Sequence, residues 1–247
     1  MSFLDWQALT DFAEKRISEF HAKRLRHMQK LELGKILKRK NPYLFRAKNA
    51  LTAQELVVPL LEAHLSSQEE TLFGDVLEQI AIFVSGQVEG GRKSTTKGID
   101  LEFDREGIRY IVSIKSGPNW GNSSQIEKMR QNFVLAQRVL RTGNSRVNVR
   151  AVNGCCYGQD EQPDKGDYQK LCGQQFWEFL SGDEDLFIRL VEPIGHRAKE
   201  KNEEFQKEYA RQVNLCVEAF LRDFCNQGRI DWEKLIRFNS GRNGEIR

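Results

Sequence analysis

A chain of 247 residues, 39% hydrophobic and 30% charged, is long enough to bury a real core and nowhere holds an apolar run of membrane-spanning length. Its formal net charge of +3 conceals an asymmetry: twelve Lys or Arg stand between Lys15 and Lys48 against only Glu19 and Glu32, a local balance of +10 that leaves −7 for the remainder. Five cysteines, an odd number without paired CxxC spacing, argue against a disulfide framework, and a zinc site on Cys155, Cys156 and Cys172 would match no standard pattern. With no signal-peptide apolar region at the N-terminus, the expectation is a soluble, cytoplasmic protein with reduced thiols and no membrane partner.

Ser2 can cap a first helix, with Asp5 three residues on, and Trp6, Leu9, Phe12, Ala13, Ile17 and Phe20 recur at helical spacing to about Met28. That helix offers one apolar and one basic face. The basic face suits a polyanion, although a charge run is more often a solvated surface. Leu31, Leu33, Ile36 and Leu37 continue the apolar pattern until Asn41-Pro42 ends it, and Tyr43, Leu44 and Phe45 form an apolar turn among Lys40, Arg46 and Lys48. Thr52 with Glu55 is a capping box for a helix to about His64, kinked at Pro59. Ser66 or Ser67 caps the next helix, whose apolar positions Phe73, Val76, Leu77, Ile80 and Phe83 carry it to Val84. Gly74 and Glu78, four apart, share another strip of this helix, where glycine permits close approach and a carboxylate can point at whatever approaches. Spacing alone favours a solvent-facing carboxylate at Glu78.

Gly90 to Gly98 is a flexible basic loop without the residue order of a Walker A site. Beyond it Ile99, Leu101 and Phe103 alternate with Asp100, Glu102 and Asp104, a turn falls at Arg105-Glu106-Gly107, and the alternation resumes from Ile108 to Lys115. The pattern predicts a β-hairpin in which Asp100 stands opposite Ser113, with Ser113 and Lys115 on the face of the aspartate. Ser116 to Ser124 is a polar loop holding Trp120. Ser123 or Ser124 caps a helix to Leu140 with Ile126, Met129, Phe133, Ala136, Val139 and Leu140 as its stripe, and Arg146 to Val152 alternates as a third strand. Gly154 to Gly166 reads as a glycine-rich connection. Short helices follow around Phe176–Leu180 and Asp185–Val191. A long helix from Ala198 to about Cys225 carries a stripe (Phe205, Tyr209, Val213, Val217, Phe220, Leu221, Phe224) that packs on the sheet or joins two subunits. A last helix spans Ile230 to Phe238, and the tail from Gly241 should fray.

An acid on one strand and a lysine at the end of the next, here Gly98-Ile99-Asp100 followed by Ser113-Ile114-Lys115, resembles the catalytic hairpin of the PD-(D/E)XK nuclease superfamily. Ser66-Ser67-Gln68-Glu69-Glu70 and the segment from Lys115 to Gln125 are similar to type II restriction endonucleases of the PmeII kind. Two departures stand out: Ile99 occupies the usual proline position and Ser113 the position of the second acid. The resemblance implies a restriction-endonuclease-like α/β fold, a central mixed β-sheet flanked by helices. Residues 1–50 would form a basic helical N-terminal segment, 51–195 the nuclease core and 196–247 a C-terminal helical segment, together one continuous unit.

It further implies Mg2+-dependent hydrolysis of double-stranded DNA at specific sequences by a homodimer. Asp100 would be the principal metal ligand, Glu78 the second carboxylate in place of the acid missing at Ser113, Glu127 a reserve from the following helix, and the Ile114 carbonyl a further ligand. Lys115 would orient or help deprotonate the attacking water, and Ser113 would hydrogen-bond beside it. DNA contacts fall to Arg92, Lys93, Ser94 and Lys97 of the basic loop and to Asn119, Trp120, Asn122, Ser123, Ser124 and Lys128 after the hairpin. Trp120 is equally a core plug, and the two asparagines equally turn residues. Two alternatives remain beside this: a repair nuclease reading DNA structure, and a DNA-binding protein whose site has lost metal affinity, to which Ser113 points.

Overall fold

The computed structural model describes residues 3–143 and 147–242. Its helices are α1 (Trp6–Gln29), α2 (Leu33–Leu37), α3 (Pro42–Ala47), α4 (Ala53–Glu89), α5 (Ser123–Gly143), α6 (Gln174–Ser181), α7 (Leu186–Arg189), α8 (Val191–Ile194), α9 (Ala198–Phe224) and α10 (Trp232–Ser240). The chain divides into two compact units, Met1–Ser18 with Phe73–His196 and Glu19–Leu72 with Arg197–Arg247.

The first unit is built on a five-stranded sheet in the order β1 (Arg92–Lys93), β2 (Leu101–Arg105), β3 (Ile108–Lys115), β4 (Asn148–Cys155) and β5 (Gln169–Cys172). β1, β2 and β3 pair antiparallel, whereas β3, β4 and β5 pair parallel, so the sheet is mixed, as expected. Arg105 faces Ile108 across the hairpin end, and the two residues between, Glu106 and Gly107, both take positive φ (52° and 76°). A two-residue turn of that kind matches the twist of paired strands, which fixes the register Leu101 to Val112. One face of the sheet, through Ile111, Val149 and Ala151, packs on Met129, Phe133 and Ala136 of α5. On the other, Phe103 and Tyr110 stack on each other and meet the Phe179 ring of α6. Helices therefore cover both faces, as the period-2 alternation requires.

The second unit is helical. Leu33, Ile36 and Leu37 of α2, Phe45 of α3, Leu56, Leu60 and Leu61 of α4, Phe220 and Phe224 of α9 and Leu235 of α10 form one buried cluster. The α9 stripe thus packs on other helices of the same unit. Leu221, counted in that stripe, stays 48% exposed because its neighbour Phe220 takes the inward position.

Several boundaries differ from the expected ones. α4 is one helix of 37 residues with Pro59 inside it, and Ser66 and Ser67 cap nothing. The capping box at its start does form: Glu55 N donates to Thr52 Oγ1 (3.2 Å) and Thr52 N to Glu55 Oε2 (3.3 Å). Burial of Leu61 and Leu65 before the serine pair and of Val76 and Ile80 after it keeps the helical period running, and tertiary burial outweighs the local preference of serine for caps. α5 is capped by Asn122, not by Ser123 or Ser124: Gln125 N donates to Asn122 Oδ1 (3.1 Å) and Asn122 N to Gln125 Oε1 (2.9 Å). Val139, placed in the apolar stripe of α5, is 64% exposed. The 90–98 loop contains edge strand β1, and β5 was not foreseen at all. The expected helix over 185–191 is two short ones. At the start of α1, Ala8 N donates to Asp5 Oδ1 (3.0 Å); Ser2, Arg146 and the last five residues lie outside the described residues.

Candidate active site

The antiparallel pairing continues past the start of β2, where Asp100 N donates at 2.9 Å to the carbonyl of Val112, the residue that Leu101 also faces. The carboxylate is then held from β3. Its Oδ2 accepts the backbone N–H of Ile114 at 2.7 Å and the Ser113 hydroxyl at 3.4 Å, and Lys115 Nζ stands 3.8 Å away. Among the described residues no hydrogen bond reaches Oδ1. Lys115 Nζ also donates to the Ile114 carbonyl at 2.9 Å, so the carbonyl expected as a cation ligand is covered by the ammonium.

Glu78 reaches this place from α4. Burial, and after it the negative charge of Asp100, pushes its carboxyl above the ordinary value of 4.5, which the Lys93 ammonium at 3.5 Å only partly offsets. Gly74, one turn earlier, is what allows the helix so near: a Cβ there would lie 2.5 Å from Ser116 Oγ, just past Lys115. A half-buried carboxyl whose ionisation a second carboxylate opposes makes a natural place for a cation, and magnesium is commonly held by one or two carboxylates with the rest of its shell from water and phosphate. Asp100 with its open Oδ1 and the half-buried Glu78 fit that requirement. Among the described residues no group of three or more His, Cys, Asp or Glu forms a larger cluster, the three cysteines 155, 156 and 172 included. All five cysteines are free thiols.

The remaining expected residues divide. Glu127 is exposed on the second turn of α5, where it accepts from Gln131 Nε2 at 3.3 Å, and among the described residues no hydrogen bond or ion pair joins it to Asp100. Arg92, Lys93 and Lys97 are exposed on the sheet edge and its loop. Ser94 is occupied within that loop, donating to Glu102 and accepting from Thr96 N. Asn119, Ser123, Ser124 and Lys128 are exposed near the end of β3 and the start of α5, whereas the side chain of Asn122 is spent on the α5 cap.

Trp120 is neither free nor a mere core plug. Its Nε1 donates to Asn153 Oδ1 (3.1 Å), Asn153 Nδ2 donates to the Ser113 carbonyl (3.1 Å), and the Lys115 ammonium lies 5.2 Å from the ring centroid. Asn153, 1% exposed and opposite Ser113 in the β3–β4 register, therefore ties the tryptophan to β3. Sequence reasoning missed it. The signal was present: 149, 151 and 153 share a strand face, and a polar residue at the last, inward-facing place calls for a buried partner. Glu102 was also missed; it is 7% exposed, ion-paired to Arg109 at 3.5 Å, and anchors the basic loop through Ser94. A second tie holds the loop after Lys115: Lys170 Nζ donates to Pro118 O (3.1 Å) and pairs with Asp160 (3.0 Å).

A family model, type II restriction endonuclease EcoO109I, matches residues 7–202, which include Glu78, Asp100, Ser113, Lys115 and Asn153. No curated protein matches the chain.

Proposed function

Because the chain belongs to the type II restriction endonuclease EcoO109I family, we propose that it hydrolyses phosphodiester bonds of double-stranded DNA, at specific sequences and with Mg2+, at the end of the β2–β3 hairpin. It is thus a nuclease of restriction-endonuclease-like fold, and DNA is the substrate that membership implies. The observation that carries the reading is the meeting of Asp100, Lys115 and Glu78 at one place inside the matched segment. The PD-(D/E)XK roles of these residues, the PmeII-like character and a homodimer are parts of the same proposal. Symmetric duplex cleavage suits a two-fold pair of subunits.

Asp100 and Glu78 would hold the metal, which when bound polarises the scissile phosphate and lowers the pKa of water. The residues of the chain do the rest. Ile114 N–H and the Ser113 hydroxyl fix the Asp100 carboxylate through Oδ2, which keeps Oδ1 available for the cation. Ser113 supplies a hydrogen bond but no charge, so the second negative charge comes from Glu78 on α4. Lys115, released from the Ile114 carbonyl, can orient the attacking water and offset charge building on the phosphate. Lys93 is exposed and bound only loosely to Glu78, so it can pass to a DNA phosphate when a cation takes its place. Arg92, Lys97 and Lys128 are the other cations placed to meet phosphates, with Asn119, Ser123 and Ser124 as polar partners.

The test is incubation of the purified protein with a long phage DNA, with and without magnesium. Discrete fragments in the magnesium lane alone are the expected result. Cutting confined to flaps, branches or ends would replace the reading with a structure-specific repair nuclease. Binding without any cleavage would replace it with a DNA-binding protein.

A further inference from the structure

In the helical unit, a cavity of about 380 Å3 is lined by His27 of α1, by Arg39 and Lys40 after α2, and by His64 of α4. Its remaining wall is Ser67, Gln68, Thr71 and Leu72, so no carboxylate lines it. We propose that this cavity is a binding site for a phosphate oxyanion, separate from the hairpin.

Four observations support the site. Two permanent cations and two imidazoles converge on one hollow, and among the described residues no carboxylate pairs with Arg39, Lys40, His27 or His64. Such a cluster is normally diluted by acids, as Lys35 is by Glu32 and Arg24 by Glu69 in the same unit. The charges are felt inside the hollow: burial and then Lys40, Arg39 and His27 hold the His64 imidazole below its ordinary pKa, with no acid opposing them. The Ser67 hydroxyl and the Gln68 amide add hydrogen-bond donors without negative charge, while the Thr71 hydroxyl donates to the Ser67 carbonyl at 3.0 Å.

Shape and lining narrow the ligand. Ligand pockets for whole organic molecules are mostly apolar and aromatic, and here Leu72 is the single aliphatic side chain and no aromatic ring but imidazole is present. Nothing offers a platform for a nucleobase, so the oxyanion itself is what the hollow recognises. His27, Arg39, Ser67 and Thr71 are exposed, so the mouth is open to solvent and would admit a phosphodiester that continues on both sides as readily as a free phosphate. The oxyanion could come from the DNA backbone, which rests on the nuclease reading, or from a free phosphate, which does not.

The experiment follows the ring C–H resonances of the four histidines of the full chain by NMR. Inorganic phosphate is titrated against chloride at matched ionic strength, and a short duplex is titrated in EDTA. The proposal expects His27 and His64 to move with phosphate, with duplex or with both, while His21 and His196 stay still. The shifts should be lost in Arg39→Gln/Lys40→Gln and in Thr71→Glu, which places an acid in the mouth; these are surface changes whose fold the unmoved His21 and His196 signals report. Movement with duplex assigns the source to DNA, and the double variant should then lower the slope of log affinity against log salt by about 0.9 for each phosphate it no longer neutralises. Movement with phosphate alone assigns a free anion. Equal response to phosphate, duplex and chloride, or shifts that survive both variants, overturns the site. A protein that cleaves no DNA yet shows the phosphate shifts would sink the nuclease reading and leave this site standing.

Discussion

Asp100 Oδ2 accepts the backbone N–H of Ile114 at 2.7 Å, so the carboxylate at the end of one strand is fixed by the main chain of the next. A backbone donor has no rotamer freedom of its own, and the neighbouring Ser113 hydroxyl adds to its hold. The arrangement orients the acid without adding a charge, and Glu78, raised first by burial, also feels the negative charge of Asp100.

Glu78 should therefore report on Asp100. Its carboxyl is pushed up by burial and then by Asp100, so between the ordinary value of 4.5 and the raised folded value the folded protein holds a proton that the unfolded chain has lost. Stability falls as pH rises through that window. Replacing Asp100 with Asn removes the repulsion, and Glu78 should titrate lower, with a smaller loss of stability above pH 4.5. Carboxyl 13C NMR over about five pH units starting below the ordinary carboxyl value of 4.5 and running well above it measures the Glu78 titration in both proteins, and an unchanged Glu78 curve in Asp100→Asn would show that the two acids do not interact.

Asn153→Ala leaves the Trp120 N–H and the Ser113 carbonyl without their buried partner. Such a change costs about 1–3 kcal/mol. It also frees Trp120 beside Lys115, so urea unfolding should move to lower midpoint and tryptophan fluorescence should shift to the red in the folded state. A wild-type midpoint would mean that the Asn153 bonds contribute nothing.

Gly74 and Ser116 should be energetically coupled. Alanine in a helix is favoured over glycine by about 0.8–1 kcal/mol, but a Cβ at 74 would meet Ser116 Oγ at 2.5 Å. Gly74→Ala should stabilise the Ser116→Ala background by about that amount and the wild type by less, since the hydroxyl must leave its rotamer. A double-mutant cycle that closes with zero coupling would place α4 farther from the end of β3 than described.

The hairpin was legible because two signals agreed. Strict alternation on both sides of Glu106-Gly107 gave the faces, and the turn gave the register that brings the Asp100 carboxylate to Ser113 and Ile114. The close approach of α4 was legible through Gly74, whereas spacing alone favoured a solvent-facing Glu78. The continuity of α4 was not, because Pro59 and the serine pair are local breakers and only the buried core overrides them. β1 and β5, of two and four residues, are too short to show a period, and β1 is held by pairing with β2. Asn153 and the α5 cap at Asn122 depend on partners distant or reciprocal, and no single residue type announces either.

The most direct measurement is the rate of duplex cleavage in magnesium by the wild type beside Asp100→Ala and Lys115→Ala, with circular dichroism to show that all three fold. The account predicts discrete fragments from the wild type and rates lower by about 10²–10⁴ in either variant, the range for losing a positioned catalytic or charge-stabilising group. Wild-type rates in Asp100→Ala would contradict it, since the chemistry would then lie somewhere other than the hairpin.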